Sequence, residues 1–171
     1  MRLQSVIQAS VLLLMSAMSV FGQAYNGAWT RQLGTSDSDR SYGVAVDAAG
    51  NAYITGYTGG DLGGPNAAGN DAFLTSYDDA GNQRWTRQLG TSTWDHRCGV
   101  AVDAAGNAYI TGSTYGDLGG PNAGLDDAFL TSYDAAGNQR WTRQLGTSDN
   151  DSSHGVAVDA AGNAYITGYT G

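Results

Sequence analysis

Trp29, Trp85 and Trp141 recur at an interval of 56 residues, and Asp47, Asp103 and Asp159 keep the same interval. A chain that repeats itself this closely builds one supersecondary unit several times, and the units bury their apolar faces by stacking on one another. The copies run over 29–84 and 85–140, and a partial copy, 141–171, stops in mid-unit. No linker or shift of composition interrupts 25–171, which therefore reads as one repeat domain.

The type of unit follows from what the copies contain. All eight basic residues are Arg and all sixteen acidic residues are Asp, so Lys and Glu, two good helix formers, are missing. Short runs of Val, Ile, Tyr, Phe, Trp and Thr bounded by Gly, Asn and Asp read instead as strands. In the second copy the candidates are 99–103, 108–112, 128–133 and 139–145. The first two are joined by Asp103-Ala104-Ala105-Gly106-Asn107 and the last two by Asp134-Ala135-Ala136-Gly137-Asn138. Each segment suits a type I turn closed by a Gly at positive φ, with the Asp capping local N–H groups. Neighbouring strands are then antiparallel, which excludes a parallel β-helix and favours the four-stranded meander of a β-propeller blade. Alternation within the strands puts Ala108, Ile110 and Gly112 on one face and Tyr109 and Thr111 on the other. Likewise Phe129, Thr131 and Tyr133 oppose Ala128, Leu130 and Ser132, and Trp141, Arg143 and Leu145 share a face. Partly apolar residues on both faces are what a blade packed between two others requires.

The runs Trp-Thr-Arg-Gln-Leu-Gly, Gly-Val-Ala-Val-Asp-Ala-Ala-Gly-Asn-Ala-Tyr-Ile-Thr-Gly and Phe-Leu-Thr-Ser-Tyr-Asp resemble the bacterial SBBP repeat, named for seven-bladed β-propellers. The resemblance covers 25–171 and implies a secreted or cell-surface propeller, without shared catalytic residues to carry over. The expected fold is thus all-β, an incomplete ring of propeller blades. The expectation for the missing part is a fragment of a longer parent, its ring completed by further C-terminal blades or by oligomerisation, because open strand edges pair or aggregate.

Candidate sites are found by comparing the copies. The first two differ mainly at 37–42 against 93–98, at 57 and 59 against 113 and 115, and at 68–70 against 124–126. These positions read as connections on one face of the disc, with the Asp-x-x-Gly-Asn hairpins on the other, if the innermost strand begins at Gly43 or Gly99. Loops on a rigid scaffold carry recognition, and neutral drift in exposed loops gives the same pattern. Asp47, Asp103 and Asp159 each open a tight turn, which accounts for them without a metal. Asp37 with Asp39 and Asp149 with Asp151 suggest a calcium loop, but the middle copy offers Asp95 alone and the spaced ligand pattern is missing. Asp61, Asp117, Asp71 and Asp127 flank Gly-rich connections and read as turn formers or solvated surface. His96 and Cys98 form no nucleophile pair without a third orienting group, and His154 replaces Tyr42 and Cys98 as loop variation. Arg31, Arg87 and Arg143 sit on the Trp face, where a charge-assisted bond to a nearby Asp is expected. No catalytic, cofactor-binding or metal-binding residue is assigned, no cofactor is expected, and the chain reads as non-enzymatic.

The formal net charge of −8 argues against nucleic acid as a partner. The single Cys98 excludes an internal disulfide. At the N-terminus, Arg2 precedes a mostly apolar run, 6–21, and then Gly22-Gln23-Ala24, so 1–24 reads as a signal peptide cleaved after Ala24. That run is broken by Gln8, Ser10, Ser16 and Ser19 and falls short of a membrane span, which needs about 20 apolar residues; no span is expected in the mature chain. The functional expectation is an exported binding or interaction module for an extracellular protein or glycan. A structural envelope repeat without a discrete ligand is the alternative, and a propeller enzyme ranks last.

Overall fold

A computed structural model of the protein describes residues 29–171, without the side chains of Arg97 and Cys98. The expected signal peptide, 1–24, lies outside the described residues. Three sheets make up Arg31–Gly171. The first is a meander of β1 (Asp39–Val46), β2 (Ala52–Thr58), β3 (Asp71–Tyr77) and β4 (Gln83–Leu89). The second repeats it with β5 (Asp95–Val102), β6 (Ala108–Thr114), β7 (Asp127–Tyr133) and β8 (Gln139–Leu145). The third pairs β9 (Asp151–Val158) with β10 (Ala164–Thr170). Every pairing is antiparallel, and no described helix is long and apolar enough to cross a membrane. Blade and sequence copy are out of phase: the copy boundary after Arg84 falls inside β4, so Trp85 belongs to the sheet that begins at Asp39.

Stacking of the sheets places the core between blades. β5 lies against β1, β2 and β3, and β9 lies against β5, β6 and β7. Tyr53, Leu74 and Trp85 of the first blade meet Ala108, Ile110, Phe129 and Tyr133 of the second, with Val100 and Val102 packed beside them. Burying each large side chain of this kind is worth about 1.5–3 kcal/mol. Several hydroxyls sharing the strands are satisfied internally: Thr75 bonds Thr86 at 3.0 Å, and Thr55 and Thr111 donate to the carbonyls of Phe73 and Phe129 at 2.7 and 2.6 Å. That accounting is why Thr and Ser can occupy buried strand positions at all.

Polar bonds then tie the outer strand β4 to the next blade. Trp85 Nε1 donates to the Ala135 carbonyl at 3.2 Å, and Arg87 Nε donates to the Gly137 carbonyl at 2.7 Å. Arg31 makes the same bond to Gly81 at 2.7 Å. Arg87 therefore corrects the expectation of an Asp partner at its position. A hairpin closed by a left-handed Gly turns its carbonyl outward, and the guanidinium beside Trp, 5.7 Å from the Trp85 ring centroid, is already placed to take it.

The first strand of each blade also starts earlier than expected, at Asp39 and Asp95 instead of Gly43 and Gly99. Pairing continues across a bulge, with register shifts between Ser41 and Gly43 and between His96 and Gly99. The bulge drives the Arg40 and His96 carbonyls onto Gly56 and Gly112, where a Cβ would collide with them. Positions 39–42 and 95–98, read from sequence as connections, are thus bulged strand.

Candidate functional site

The meander gives Arg31–Gly171 two chemically different ends. At the hairpin end every Asp-x-x-Gly-Asn turn is built alike, with Gly50, Gly81, Gly106, Gly137 and Gly162 at φ between 78° and 84°. Asp47 Oδ1 accepts the N–H groups of Ala49 and Asn51 at 3.0 and 2.9 Å, and its Oδ2 accepts from the Asn51 amide at 2.8 Å and the Tyr53 hydroxyl at 3.2 Å. Burial pushes this carboxyl up, but the four donors outweigh it and its pKa lies below the ordinary carboxylate value. Asp103 repeats the arrangement and the balance. The turn role read for Asp47, Asp103 and Asp159 is what their geometry shows.

At the opposite end lie the β2–β3 and β6–β7 connections, 59–70 and 115–126, and the links between blades, 90–94 and 146–150. Gln88 organises the first of them. Its Oε1 accepts the Leu62 and Gly63 N–H groups at 2.9 and 3.1 Å, while its Nε2 donates to the Gly60 carbonyl at 3.0 Å and to Asp71 at 2.9 Å. Gln144 does the same for Leu118, Gly119, Gly116 and Asp127. Sequence reasoning missed this clamp, and its signal was the Gln that follows Arg in every copy. Asp61 and Asp117 accept the Asn66 and Asn122 N–H groups, both at 2.8 Å, and act as turn formers.

The acidic pairs resolve in the same way. Asp39, Asp95 and Asp151 each accept from the backbone and hydroxyl of the Thr four residues earlier, at 2.6 to 3.1 Å. Asp95 is fully buried, and burial, together with the charge of Asp71 and against the hydrogen bonds of Thr114 and Thr91, holds its pKa above the ordinary value. Among the described residues, no three His, Cys, Asp or Glu gather as a metal site.

Apart from Asp79 against Ala135 in a hairpin, the positions that differ between the first two copies fall at this loop end, and they carry exposed rings. Trp94 is 58% exposed and Tyr115 42% exposed; Trp94 stands where the other copies have Ser38 and Asn150, and Tyr115 where they have Gly59 and Gly171. The Trp94 indole lies over Gly69, leaving no room for a Cβ, and the preceding Ala68 is held at φ 132° where the second copy has Gly124. His96 meets Tyr115 with ring centroids 5.9 Å apart, Tyr42 meets Tyr57 at 5.9 Å, and His154 meets Tyr169 at 5.7 Å. His96 also approaches Ser113 at 3.4 Å; the thiol of Cys98 lies outside the described side chains. Beside Trp94 and Tyr115 a shallow hollow of about 470 Å³ is lined by Gly90, Thr91, Ser92, Gly116 and Asp117. A hollow of about 430 Å³ at the hairpin end is lined by Asp47, Asn51, Tyr53, Arg84, Gly106 and Ala135, which include the turn residues themselves.

Charge separates the ends as well. Asp37, Asp39, Asp61, Asp71 and Asp95 belong to the loop end of the first blade and its junction with the second; Asp117, Asp126, Asp127, Asp149 and Asp151 belong to that of the second and its junction with the third. Of the seven described Arg, two, Arg40 and Arg97, share that end by position in the strands. Arg31, Arg84 and Arg87 instead reach hairpin residues, so the remaining Asp are nearly balanced.

Comparison with known proteins follows the architecture. The chain is 28% identical over 163 residues to the regulatory protein FlaEY of Caulobacter vibrioides, and 23% identical over 185 residues to an uncharacterized WD repeat-containing protein, L264, of Acanthamoeba polyphaga mimivirus. The alignments cover 85% and 84% of this chain but 17% and 13% of those proteins, so it spans a small part of the length of either relative. The model of the SBBP β-propeller repeat matches residues 28–63, 84–120 and 140–171, more than half of the sequence. Three matched copies, folded as stacked antiparallel blades, place the chain in the SBBP β-propeller repeat family.

Proposed function

We propose that the chain is an exported, non-catalytic recognition module that binds an extracellular partner at its loop end. One observation carries the reading: blade core and clamp repeat between copies and the hairpins differ at Asp79 alone, while the other differences gather at one end and there expose Trp94, Tyr115 and Tyr42. A rigid scaffold that varies chiefly at one end is the arrangement recognition proteins use. The name of the Caulobacter relative, a regulatory protein, is compatible with a binding role.

The test is a screen of the full chain against extracellular proteins and cell-wall glycans, repeated with two variants. Trp94→Ser imports the residue of the first copy at the loop end, and Asp79→Ala imports Ala135 of the second copy at the hairpin end. Binding lost in the first variant and kept in the second supports the module. No partner in either class, or association with the cell envelope that loop substitutions leave unchanged, overturns it in favour of a structural repeat. Cleavage after Ala24 on expression in a secreting host, read by N-terminal sequencing, is the expected sign of export; an intact leader on protein retained inside cells contradicts it.

A further inference from the structure

We propose that the partner of the loop end is a basic polypeptide segment, rich in Lys and Arg, which docks across Trp94 and Tyr115; this rests on the loop end being the binding surface. The first support is charge complementarity. Ten of the sixteen Asp belong to that end against two of the seven described Arg, and Asp37, Asp61, Asp117 and Asp149 are exposed there, so its surface is negative. A face of one sign steers oppositely charged partners and repels phosphates and acidic glycans.

The second support is the kind of surface the charge surrounds. Exposed aromatic faces attract guanidinium and ammonium groups, and Trp is the best of them. Trp94 and Tyr115 are held side by side, since the Tyr115 N–H donates to the Trp94 carbonyl at 3.1 Å. Asp117, two residues from Tyr115, is exposed and lines a hollow with Thr91 and Ser92. Its carboxylate offers a counter-charge to a basic side chain at the rings, and the hydroxyls and Gly backbone suit the peptide groups between such side chains. A bare divalent cation fits less well. Calcium takes six to eight oxygen ligands, whereas the carboxylates here are spent on their own loops, Asp95 on Thr91 and Asp117 on Asn122.

The experiment is a fluorescence-anisotropy titration of the full chain with a labelled decapeptide of alternating Lys, Arg and Ser, alongside an acidic peptide of equal length and a neutral oligosaccharide. The expected result is saturable binding of the basic peptide alone, weakened by raising the salt. Trp94→Ser combined with Tyr115→Gly, both taken from the other copies, is expected to weaken it about tenfold. Asp79→Ala is expected to leave it within about twofold, as for any surface change away from the contact. Circular dichroism confirms that each variant is folded. Equal binding by the double variant would mean diffuse attraction only and overturn the proposal, as would no binding of the basic peptide. Binding of the oligosaccharide instead, lost in the double variant, would overturn the basic partner while leaving recognition at the loop end standing.

Discussion

Single residues in this chain are constrained by the neighbouring blade as much as by their own strand. Gly137 shows it best: its φ of 81° suits only Gly, its carbonyl takes the Arg87 guanidinium, and the Trp85 indole covers the place of a Cβ. Gly137→Ala is expected to cost about 1–2 kcal/mol for the left-handed backbone alone, with the displacement of Trp85 added. Arg87→Ala removes the bond without touching the turn and is expected to cost about 1–2 kcal/mol. Chemical denaturation of the two variants checks both, and an unchanged midpoint for Arg87→Ala would contradict the bond. The carboxylates pull in opposite directions with pH. Asp47 and Asp103 have lowered pKa values, so their contribution is full above the unfolded carboxylate range and lost as the pH falls through the folded values. Asp95 is raised, so its contribution is full below that range and lost as the pH rises through its folded value. Asp95→Asn is therefore expected to flatten the decline in melting temperature as the pH rises above the ordinary carboxylate range, while leaving acid unfolding in place. Thermal scans across that range would show it, and a parallel decline in variant and wild type would refute it.

At the scale of elements, the loop connections depend on one side chain each. Gln88→Ala leaves the Leu62 and Gly63 N–H groups without their partner and the buried Asp71 carboxylate with the Ala67 N–H but not the Gln88 amide, an expected cost of about 1–3 kcal/mol. Hydrogen exchange should speed up at Leu62 and Gly63 before it does in β2 or β3, and uniform protection would show that the connection holds without the clamp. The strand order, the hairpins and the bounds of β8 were legible in the sequence because alternation and Asp-x-x-Gly-Asn turns are local signals. The start of β5 was not, since a bulge hides pairing behind an interruption of period, and the glycine that permits it, Gly112, sits on the other strand. Gln88 escaped notice for a related reason: within Trp-Thr-Arg-Gln-Leu it looks like one more strand residue, and its partners lie 17 to 28 positions away in sequence. The arginines were legible as a paired row but not in their choice of carbonyls, because a Gly carbonyl turned outward leaves no trace in composition. The loop-end candidate was legible from comparing copies, while its ring pairs, such as His96 with Tyr115, needed the register.

Across Arg31–Gly171 the blades repeat but their surroundings do not, and the difference exposes what a blade needs on each side. Val100 and Val102 are partly buried against the first blade, whereas their counterparts Val44 and Val46 are 66% and 61% exposed. Tyr53 and Tyr109 are buried by the following blade, whereas Tyr165 is 57% exposed. The two faces are the two halves of the interface already seen between blades, so each has its complement on the other side of the array. Apolar faces of this kind, repeated and complementary, associate head to tail unless other blades cover them. The full chain is accordingly expected to self-associate with rising concentration. Val44→Ser with Val46→Ser, which alters one face and leaves the interior interfaces intact, is expected to shift it toward monomer. Light scattering across a concentration series reads the outcome directly, and a wild-type chain that stays monomeric and well folded would mean that a blade face is stable in water without a neighbour.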